Sequence, residues 1–123
     1  MELNEITEKV IGCAIKVHRA LGPGLLESTY EVCLAHELVK EGLKVKTQVA
    51  LPVVYDGLRL DAGYRIDMLV EDAVIVELKS IESLHPIHEA QVISYLKLSG
   101  KKIGLLINFN VKLLKGGIKR LVN

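Results

Sequence analysis

The chain has 123 residues, half of them hydrophobic and a quarter charged, which is the composition of an ordinary globular protein. A chain of this length buries roughly two-thirds of its unfolded surface, so it predicts a single domain over residues 1–123 that needs no disulfide or structural metal to fold. No apolar run approaches the roughly 18 residues of a transmembrane helix, and the acidic, polar start of the chain is not a secretory signal, so no membrane contact is expected.

Two helices are predicted in the first third of the chain. The first ends at Gly22-Pro23-Gly24, and its apolar stripe at helical spacing is Ile6, Val10, Ala14, Val17 and Leu21. The second covers residues 25–41 and ends at Gly42, a residue type that favours the backbone conformation found after helices.

Two strands joined by a tight turn are predicted next. Residues 43–55 alternate in polarity and are rich in valine, and Pro52 indicates an edge strand or a bulge. The pair Asp56-Gly57 is a strong signal for a hairpin turn. The second strand covers residues 58–70 and is interrupted at Gly63.

The last third of the chain predicts a mixed α/β arrangement. Residues 73–79 (AVIVELK) begin with a nearly continuous apolar run, which indicates a strand buried on both faces. A third helix begins at Pro86 and ends at Gly100, residues 102–109 form another buried strand, and a short final strand or tail follows Gly116-Gly117. The order helix, helix, three strands, helix, strand predicts an α/β sandwich around a central mixed sheet.

The net charge of +1 hides an asymmetry between two parts of the chain. Residues 1–89 carry 9 basic and 15 acidic residues, whereas residues 90–123 carry 7 basic residues and no acidic ones. A basic end of this kind can contact the phosphate groups of a nucleic acid. On charge alone, the simpler interpretation is a lysine-rich face exposed to solvent.

Two carboxylates face each other in the predicted hairpin between the second and third strands. A three-residue loop over residues 71–73 pairs Val70 with Val74, and this register places Asp67 directly opposite Glu77. Their β-carbons would then lie ~4.5–5.5 Å apart, a distance at which like charges destabilise the pair. A two-residue turn would instead put Asp67 on the opposite face from Glu77.

In the facing register, Asp67, Glu77 and Lys79 converge, because residues 77 and 79 share one face of their strand. Two carboxylates tolerate such proximity where a divalent cation lies between them or where one of them is protonated. Carboxylate oxygens completed by water are the ligands that suit Mg²⁺ or Mn²⁺. The alternative interpretation is a simple ion pair between Glu77 and Lys79 at the end of a buried strand.

The helices contribute further polar candidates. Glu27 lies at the N-terminal end of an inward-facing stripe that continues through Tyr30, Leu34 and Leu38. It could serve a site, or it could simply complement the positive end of the helix dipole, worth ~0.3–1 kcal/mol. Gln91 and Tyr95 share one face of the third helix, either as a hydrogen-bonded core pair or as groups that position a substrate or a lysine.

Histidines and cysteines give weaker signals. His18 lies on the flank of the first helix's apolar stripe, where a histidine is more often a semi-buried hydrogen-bonded residue than a metal ligand. His85 and His88 lack a second pair of ligands at a suitable spacing, which argues against a structural zinc site. Cys13 and Cys33 form no CxxC pattern and suit a reducing compartment, so a cytoplasmic location is expected.

Several of these residues together carry a family resemblance. Asp67, then Glu77-Leu78-Lys79 ten residues later, then Gln91 and Tyr95 on the following helix resemble the RecB-type branch of the PD-(D/E)XK nuclease superfamily. Residues 24–30 (GLLESTY) also match the GxxExxY pattern, which names a bacterial and archaeal family of small PD-(D/E)XK-like proteins. The resemblance covers nearly the whole chain and implies a restriction-endonuclease-like α/β sandwich.

The resemblance implies a divalent metal, Mg²⁺ or Mn²⁺, and a set of ligands for it. Asp67 and Glu77 would bind the ion through their side chains, and Leu78 through its backbone carbonyl. Glu27 would be a helix-borne acid near the metal. His18 would be a further, helix-borne ligand, as in many RecB-type enzymes.

The same resemblance implies an activity, the metal-dependent hydrolysis of phosphodiester bonds in nucleic acid, with DNA as the expected substrate. Besides the two metal-binding carboxylates, Lys79 would orient the attacking water or stabilise negative charge, and Gln91 and Tyr95 would hold Lys79 or the substrate. The basic residues over 97–120 would attract DNA. A homodimer or a partner protein would complete a DNA-binding clamp that 123 residues leave little room for.

Two other interpretations stay open at this point. The small size and modest charge are also compatible with a non-catalytic module on the same fold, which binds nucleic acid or another protein. Alternatively, the charged residues form a structural ion-pair cluster without function. That interpretation predicts that replacing Glu77 and Lys79 together with apolar residues is neutral or stabilising.

Overall fold

A computed structural model describes residues 1–123 and confirms the predicted order of elements. The helices are α1 (Leu3–Leu21), α2 (Glu27–Lys40) and α3 (Pro86–Ser99), with a short 3₁₀ helix, η1 (Leu114–Gly117). The strands are β1 (Val45–Ala50), β2 (Val53–Tyr55), β3 (Leu58–Leu60), β4 (Arg65–Val70), β5 (Val74–Lys79), β6 (Ile103–Asn108) and β7 (Ile118–Val122). None of the helices combines the length and the apolar character that a membrane crossing requires.

Local sequence signals explain where the helices begin and end. The backbone N–H of Glu2 donates to Glu5 Oε1 at 3.3 Å, which satisfies one of the free amides before α1. α1 ends at Leu21 and is followed by Gly22, whose φ of 71° lies in the region that glycine adopts most easily. α3 begins at Pro86, which needs no amide partner there, and ends at Ser99, just before Gly100 with a φ of 72°.

Both long strands predicted before residue 70 are interrupted in the structure. The first splits into β1 and β2 at Leu51-Pro52, because proline cannot donate to a sheet ladder. The second splits into β3 and β4 around Gly63, as its glycine indicated. The pieces on either side of Asp56-Gly57 form a separate two-stranded sheet, β2–β3, so the predicted hairpin turn is confirmed there.

The remaining five strands form one mixed sheet in the order β1-β4-β5-β6-β7. β4 and β5 are antiparallel neighbours, whereas β5 and β6 are parallel and are connected through α3. The segment after Gly116-Gly117 becomes β7 and pairs antiparallel with β6 at the sheet edge. This arrangement confirms the predicted α/β sandwich with a central mixed sheet.

A hydrophobic core lies on each face of the sheet. The larger core packs α1 and α2 against alternate residues of β4, β5 and β6, and includes Tyr30 and Phe109, both fully buried. The smaller core packs α3 against the other face, through Val92 and Leu96 on the helix and Ile75 and Leu106 on the strands. Burial on both faces explains the nearly continuous apolar runs of β5 and β6.

Strands β1 and β4 change the face that they present midway along their length. Val45 and Met68 pack in the core under α1 and α2, whereas Val49 and Ile66 pack in the core under α3. Residues an even number apart normally share a face, so the alternation is interrupted between them. The interruption coincides with Gln48, whose φ of 53° is left-handed. This part of the strand borders the site described below.

Candidate active site

The two carboxylates predicted to face each other do so. The ladder between β4 and β5 pairs Val70 with Val74 and ends at Met68 and Val76, which confirms the register that places Asp67 opposite Glu77. Beyond that point, side chains replace the backbone ladder. The N–H of Asp67 donates to Glu77 Oε1 at 3.1 Å, and the N–H of residue 78 donates to Asp67 Oδ2 at 2.9 Å.

The electrostatics of this pair are unfavourable for two negative charges. Glu77 is only 5% exposed. Burial, followed by the negative charge of Asp67, raises the pKa of the Glu77 carboxyl to about 9, although the Lys79 ammonium opposes the shift. With no cation present, the pair therefore holds a proton at neutral pH. A divalent cation would relieve the same repulsion.

The pair opens into a cavity of about 470 Å³ at the end of β5. The cavity is lined by seven residues that the sequence singled out: Glu27, Asp67, Glu77, Leu78, Lys79, Gln91 and Tyr95. They come from the start of α2, from β4 and β5, and from α3, so three separate parts of the chain meet here. Of the expected site residues, only His18 does not line this cavity.

Gln91 and Tyr95 form a hydrogen-bonded pair on α3, one of the two arrangements that their spacing left open. Gln91 Nε2 donates to the Tyr95 hydroxyl at 3.3 Å. Burial, and then the charges of Glu77 and Asp67, raise the pKa of the Tyr95 phenol, so it remains neutral and available as a donor. The pair is thus part of the cavity wall as well as of the α3 packing.

The GxxExxY segment builds the loop that carries Glu27 into the cavity. Gly24 adopts a φ of 98° just before α2. The Tyr30 hydroxyl donates to the carbonyl of Gly22 and accepts a hydrogen bond from the N–H of Leu25 at 3.1 Å, and its ring stacks on Phe109. Tyrosine and glycine in this motif therefore shape the backbone, and the glutamate between them lines the cavity.

Several residues of the cavity wall carried no sequence signal. Gln48 Nε2 lies 2.8 Å from Glu31 Oε1 and 3.4 Å from Asp67 Oδ1, so its amide links two acids of the wall. Arg65 Nη1 donates to the Gln48 carbonyl at 3.3 Å. Ser28 also lines the cavity. Only Glu31 had a usable signal, because it follows Glu27 by one helical turn.

His18, expected as a metal ligand, lies elsewhere. Its Nε2 donates to the carbonyl of Val111 at 2.7 Å, and its ring lies 6.3 Å from that of Phe109. The residue is 6% exposed and follows Ala14 by one turn on the core face of α1, which directs the ring toward the segment after β6. The position of His18 agrees with the alternative given in the sequence analysis, a semi-buried histidine that forms a hydrogen bond.

The donor set suits Mg²⁺ or Mn²⁺ better than a metal that needs a cage of side chains. Nowhere in the chain do three or more His, Cys, Asp or Glu side chains gather closely enough to hold a metal ion between them. Mg²⁺ is commonly bound through one or two carboxylates and keeps several waters. Asp67 and Glu77, with the backbone of Leu78 beside them, meet that requirement, and their repulsion is the feature that a cation would relieve.

Comparison with known proteins agrees with this geometry. No curated protein and no solved structure matches the chain. The sequence model of the PD-(D/E)XK nuclease superfamily matches residues 4–121, which include every residue of the cavity. The sheet and helices described above are those of a restriction-endonuclease-like fold. This chain belongs to the PD-(D/E)XK nuclease superfamily.

Proposed function

We propose that this protein is a metal-dependent nuclease that hydrolyses phosphodiester bonds of DNA with Mg²⁺ or Mn²⁺. The observation that carries the proposal is the facing pair of Asp67 and Glu77 beside Lys79 in an open cavity. Membership of a nuclease superfamily supports the same reaction class, and its nucleases generally use divalent metals.

Asp67, Glu77 and the Leu78 carbonyl would hold the ion, and Glu27 faces the same cavity from α2. When bound, a divalent ion polarises a phosphoryl oxygen and lowers the pKa of a coordinated water. The two carboxylates also fix where that ion can lie, because Asp67 Oδ2 and Glu77 Oε1 are each anchored by a backbone N–H across the hairpin. The chain thus supplies a rigid acidic end to the cavity.

Lys79 supplies the positive charge of the site. It lines the cavity, and none of the salt bridges in the structure involves it, so its ammonium is available to a substrate. There it stabilises the negative charge that grows on the phosphate in the transition state. The neutral Tyr95 hydroxyl, held by Gln91, donates a hydrogen bond to a substrate oxygen from the α3 wall.

A cleavage assay tests the proposal. Plasmid DNA, single-stranded DNA and RNA are incubated with Mg²⁺ or Mn²⁺ and with wild type, Lys79→Ala, Asp67→Asn or a control, Lys44→Ala, in which an exposed lysine outside the cavity is replaced. Loss of one charge-stabilising group costs roughly 10²–10³-fold in rate. We expect losses of at least that size for the two site variants and none for the control. Cleavage that survives both site substitutions would falsify the proposal.

The alternative is a non-catalytic module that uses the same fold to bind nucleic acid or another protein. The features that favour it are the small size of the chain and its modest net charge of +1. Calorimetric titration with Mn²⁺ separates the two candidates. A non-catalytic module takes up no Mn²⁺, and Asp67→Asn leaves its thermal stability in the presence of Mn²⁺ unchanged.

Four finer assignments stay predictions within this proposal. Membership of the GxxExxY group rests on residues 24–30 alone. DNA, rather than RNA, is the expected substrate. A homodimer or a partner protein would complete the DNA-binding surface, and a cytoplasmic location suits the free thiols of Cys13 and Cys33.

A further inference from the structure

A second cleft lies on the other side of the loop that leads into the candidate active site. Its volume is about 520 Å³, and it is lined by the C-terminal turn of α1, the Gly22-Pro23 turn and the segment that follows β6. All of its titratable side chains are basic: His18, Arg19, Lys112 and Lys115. The cavity of the candidate active site, called the metal cavity because it would hold the proposed ion, is acidic at its centre, whereas this cleft is basic throughout.

The three exposed cations of this cleft have no acidic partner. Arg19, Lys112 and Lys115 are exposed, and none of the salt bridges in the structure involves them. The helix dipole explains why a basic residue is favourable at the end of α1, where Arg19 lies. It does not explain the two lysines, which come from a different segment. Cations from two separate segments that line one concave surface are typical of a site that binds anions.

The lysine-bearing segment is held firmly against the rest of the fold. The buried His18 binds the carbonyl of Val111, the residue before Lys112. At the other end of the segment, a Cβ on Gly117 would lie 2.3 Å from the carbonyl oxygen of Asn108, so only glycine permits this close approach. A preorganised segment loses less conformational entropy when it binds a ligand.

The same segment is tied to the candidate catalytic lysine. The N–H of Phe109 donates to the carbonyl of Lys79 at 2.9 Å. The loop between the clefts is tied as well, because the Tyr30 hydroxyl bonds both Gly22 and Leu25, and Ser80 Oγ donates to the Leu25 carbonyl at 2.6 Å. The two clefts are therefore held at a fixed separation.

That separation is short on the scale of a nucleic acid. Pro23 lines the basic cleft and Leu26 lines the metal cavity. Three residues span at most about 11 Å. DNA carries one phosphate per strand for every ~3.4 Å of helix axis. A strand that leaves the cavity past Leu26 therefore reaches the wall of the basic cleft at Pro23 within about three nucleotides.

We propose that the cleft formed by Arg19, Lys112 and Lys115 binds backbone phosphates of the substrate nucleic acid, a few nucleotides to one side of the scissile phosphate. The inference rests on the proposed nuclease function and adds where the substrate lies. It also gives the buried His18 a role, which is to hold the lysine-bearing segment in place.

The test is DNA binding measured without cleavage. Fluorescence anisotropy of a fluorescein-labelled DNA duplex and single strand is recorded in EDTA at several salt concentrations. The cleft variant combines Arg19→Gln, Lys112→Gln and Lys115→Gln. The matched control combines Lys40→Gln, Lys44→Gln and Lys46→Gln, which removes the same charge from exposed positions that line neither cleft and lie outside the basic residues over 97–120. Thermal unfolding confirms that both variants fold.

We expect the cleft variant to bind DNA at least about tenfold more weakly and the control to stay close to wild type. The slope of log K against log salt is expected to fall by about 2 to 3 in the cleft variant, since each phosphate contact contributes ~0.9 for duplex and ~0.7 for single-stranded DNA. Equal weakening of both variants, unchanged binding of the cleft variant, or a wild type that binds no DNA overturns the inference.

Cleavage is measured in parallel so that the two proposals fail separately. With Mg²⁺, the cleft variant is expected to raise KM and to leave kcat near that of wild type, because its residues lie outside the metal cavity. A wild type that binds DNA through the cleft and cleaves nothing refutes the nuclease and leaves the phosphate site intact. A nuclease whose KM does not respond to the cleft variant refutes the phosphate site alone.

Discussion

The two halves of the β4–β5 hairpin differ in what holds them together. In the closed half, next to the turn, the backbone ladder is complete and all six paired side chains are apolar and at most 5% exposed: Met68, Leu69, Val70, Val74, Ile75 and Val76. In the open half, the ladder ends and Asp67 and Glu77 bond to the backbone of the facing strand through their side chains. One hairpin thus contains a buried, wholly apolar part of the sheet and, next to it, two carboxylates that repel each other.

The difference teaches how a site of this kind is tolerated. A buried carboxylate beside a second, half-buried one costs free energy, and the raised pKa of Glu77 reflects its burial and the charge of Asp67. The closed half offsets it, because its residues are buried in both cores of the sandwich. Stability is expected to depend on the closed half, and activity on the open half.

The largest effect on stability is expected from the closed half. Met68→Ala removes a fully buried side chain, and truncations of this kind cost ~2–5 kcal/mol. Urea unfolding measures the change. Thr47→Ala is the matched control, since Thr47 is exposed and pairs with Met68 across β1 and β4. The control is expected to stay within ~0.5 kcal/mol of wild type. A loss below ~1 kcal/mol for Met68→Ala would contradict the division between the two halves.

The open half should give metal-free protein an unusual pH dependence. The pKa of Glu77 is about 9 in the fold and near 4.5 when unfolded, so the folded state binds a proton that the unfolded state releases. This contribution to stability is complete below about pH 4.5 and is lost progressively as the pH rises to about 9. Urea unfolding in EDTA over that range is expected to show stability declining with pH.

Glu77→Gln is the variant that isolates this effect. It keeps the shape of the side chain and removes its titration, so the decline between about pH 4.5 and 9 should become shallower. At the alkaline end the variant is expected to be more stable than wild type and inactive in cleavage. Identical pH profiles for the two proteins would show that the carboxylate pair carries no electrostatic cost.

Much of this hairpin could be predicted from sequence because its determinants are local. The three residues between Val70 and Val74 set the register, and the register alone placed Asp67 opposite Glu77. That Gln91 and Tyr95 share one face followed from the spacing of one helix. Each of these inferences needed only a single element or a single turn.

The residues that escaped prediction depend on contacts between distant parts of the chain. The ring of His18 faces a carbonyl 93 residues away, which no helical periodicity reveals. Gln48 lies in a strand whose alternation predicts a regular backbone, yet it adopts a positive φ because β1 changes faces opposite Asp67. Such contacts and backbone conformations can be recognised only in the assembled structure.

The smallest change in stability is expected at Gln48. It is also the most informative change, because stability and cleavage should respond differently. A left-handed non-glycine residue costs ~1–2 kcal/mol, so Gln48→Gly should stabilise the fold by about 1 kcal/mol. It also removes the amide that contacts Asp67 and Glu31, and loss of a group that orients a metal ligand typically costs 10–100-fold in metal affinity or activity. Stability and cleavage are therefore expected to change in opposite directions.

The control for Gln48→Gly is Thr47→Gly, one residue earlier in the same strand. Thr47 is paired in the ladder with Met68 and has no left-handed backbone to relieve. Its replacement is expected to destabilise by ~0.5–1 kcal/mol and to leave cleavage unchanged. Urea unfolding and the plasmid assay measure both variants. If Gln48→Gly instead loses stability or cleaves like wild type, the left-handed conformation of Gln48 serves the structure of the strand alone. The carboxylates of the open half are then held in position without the Gln48 side chain.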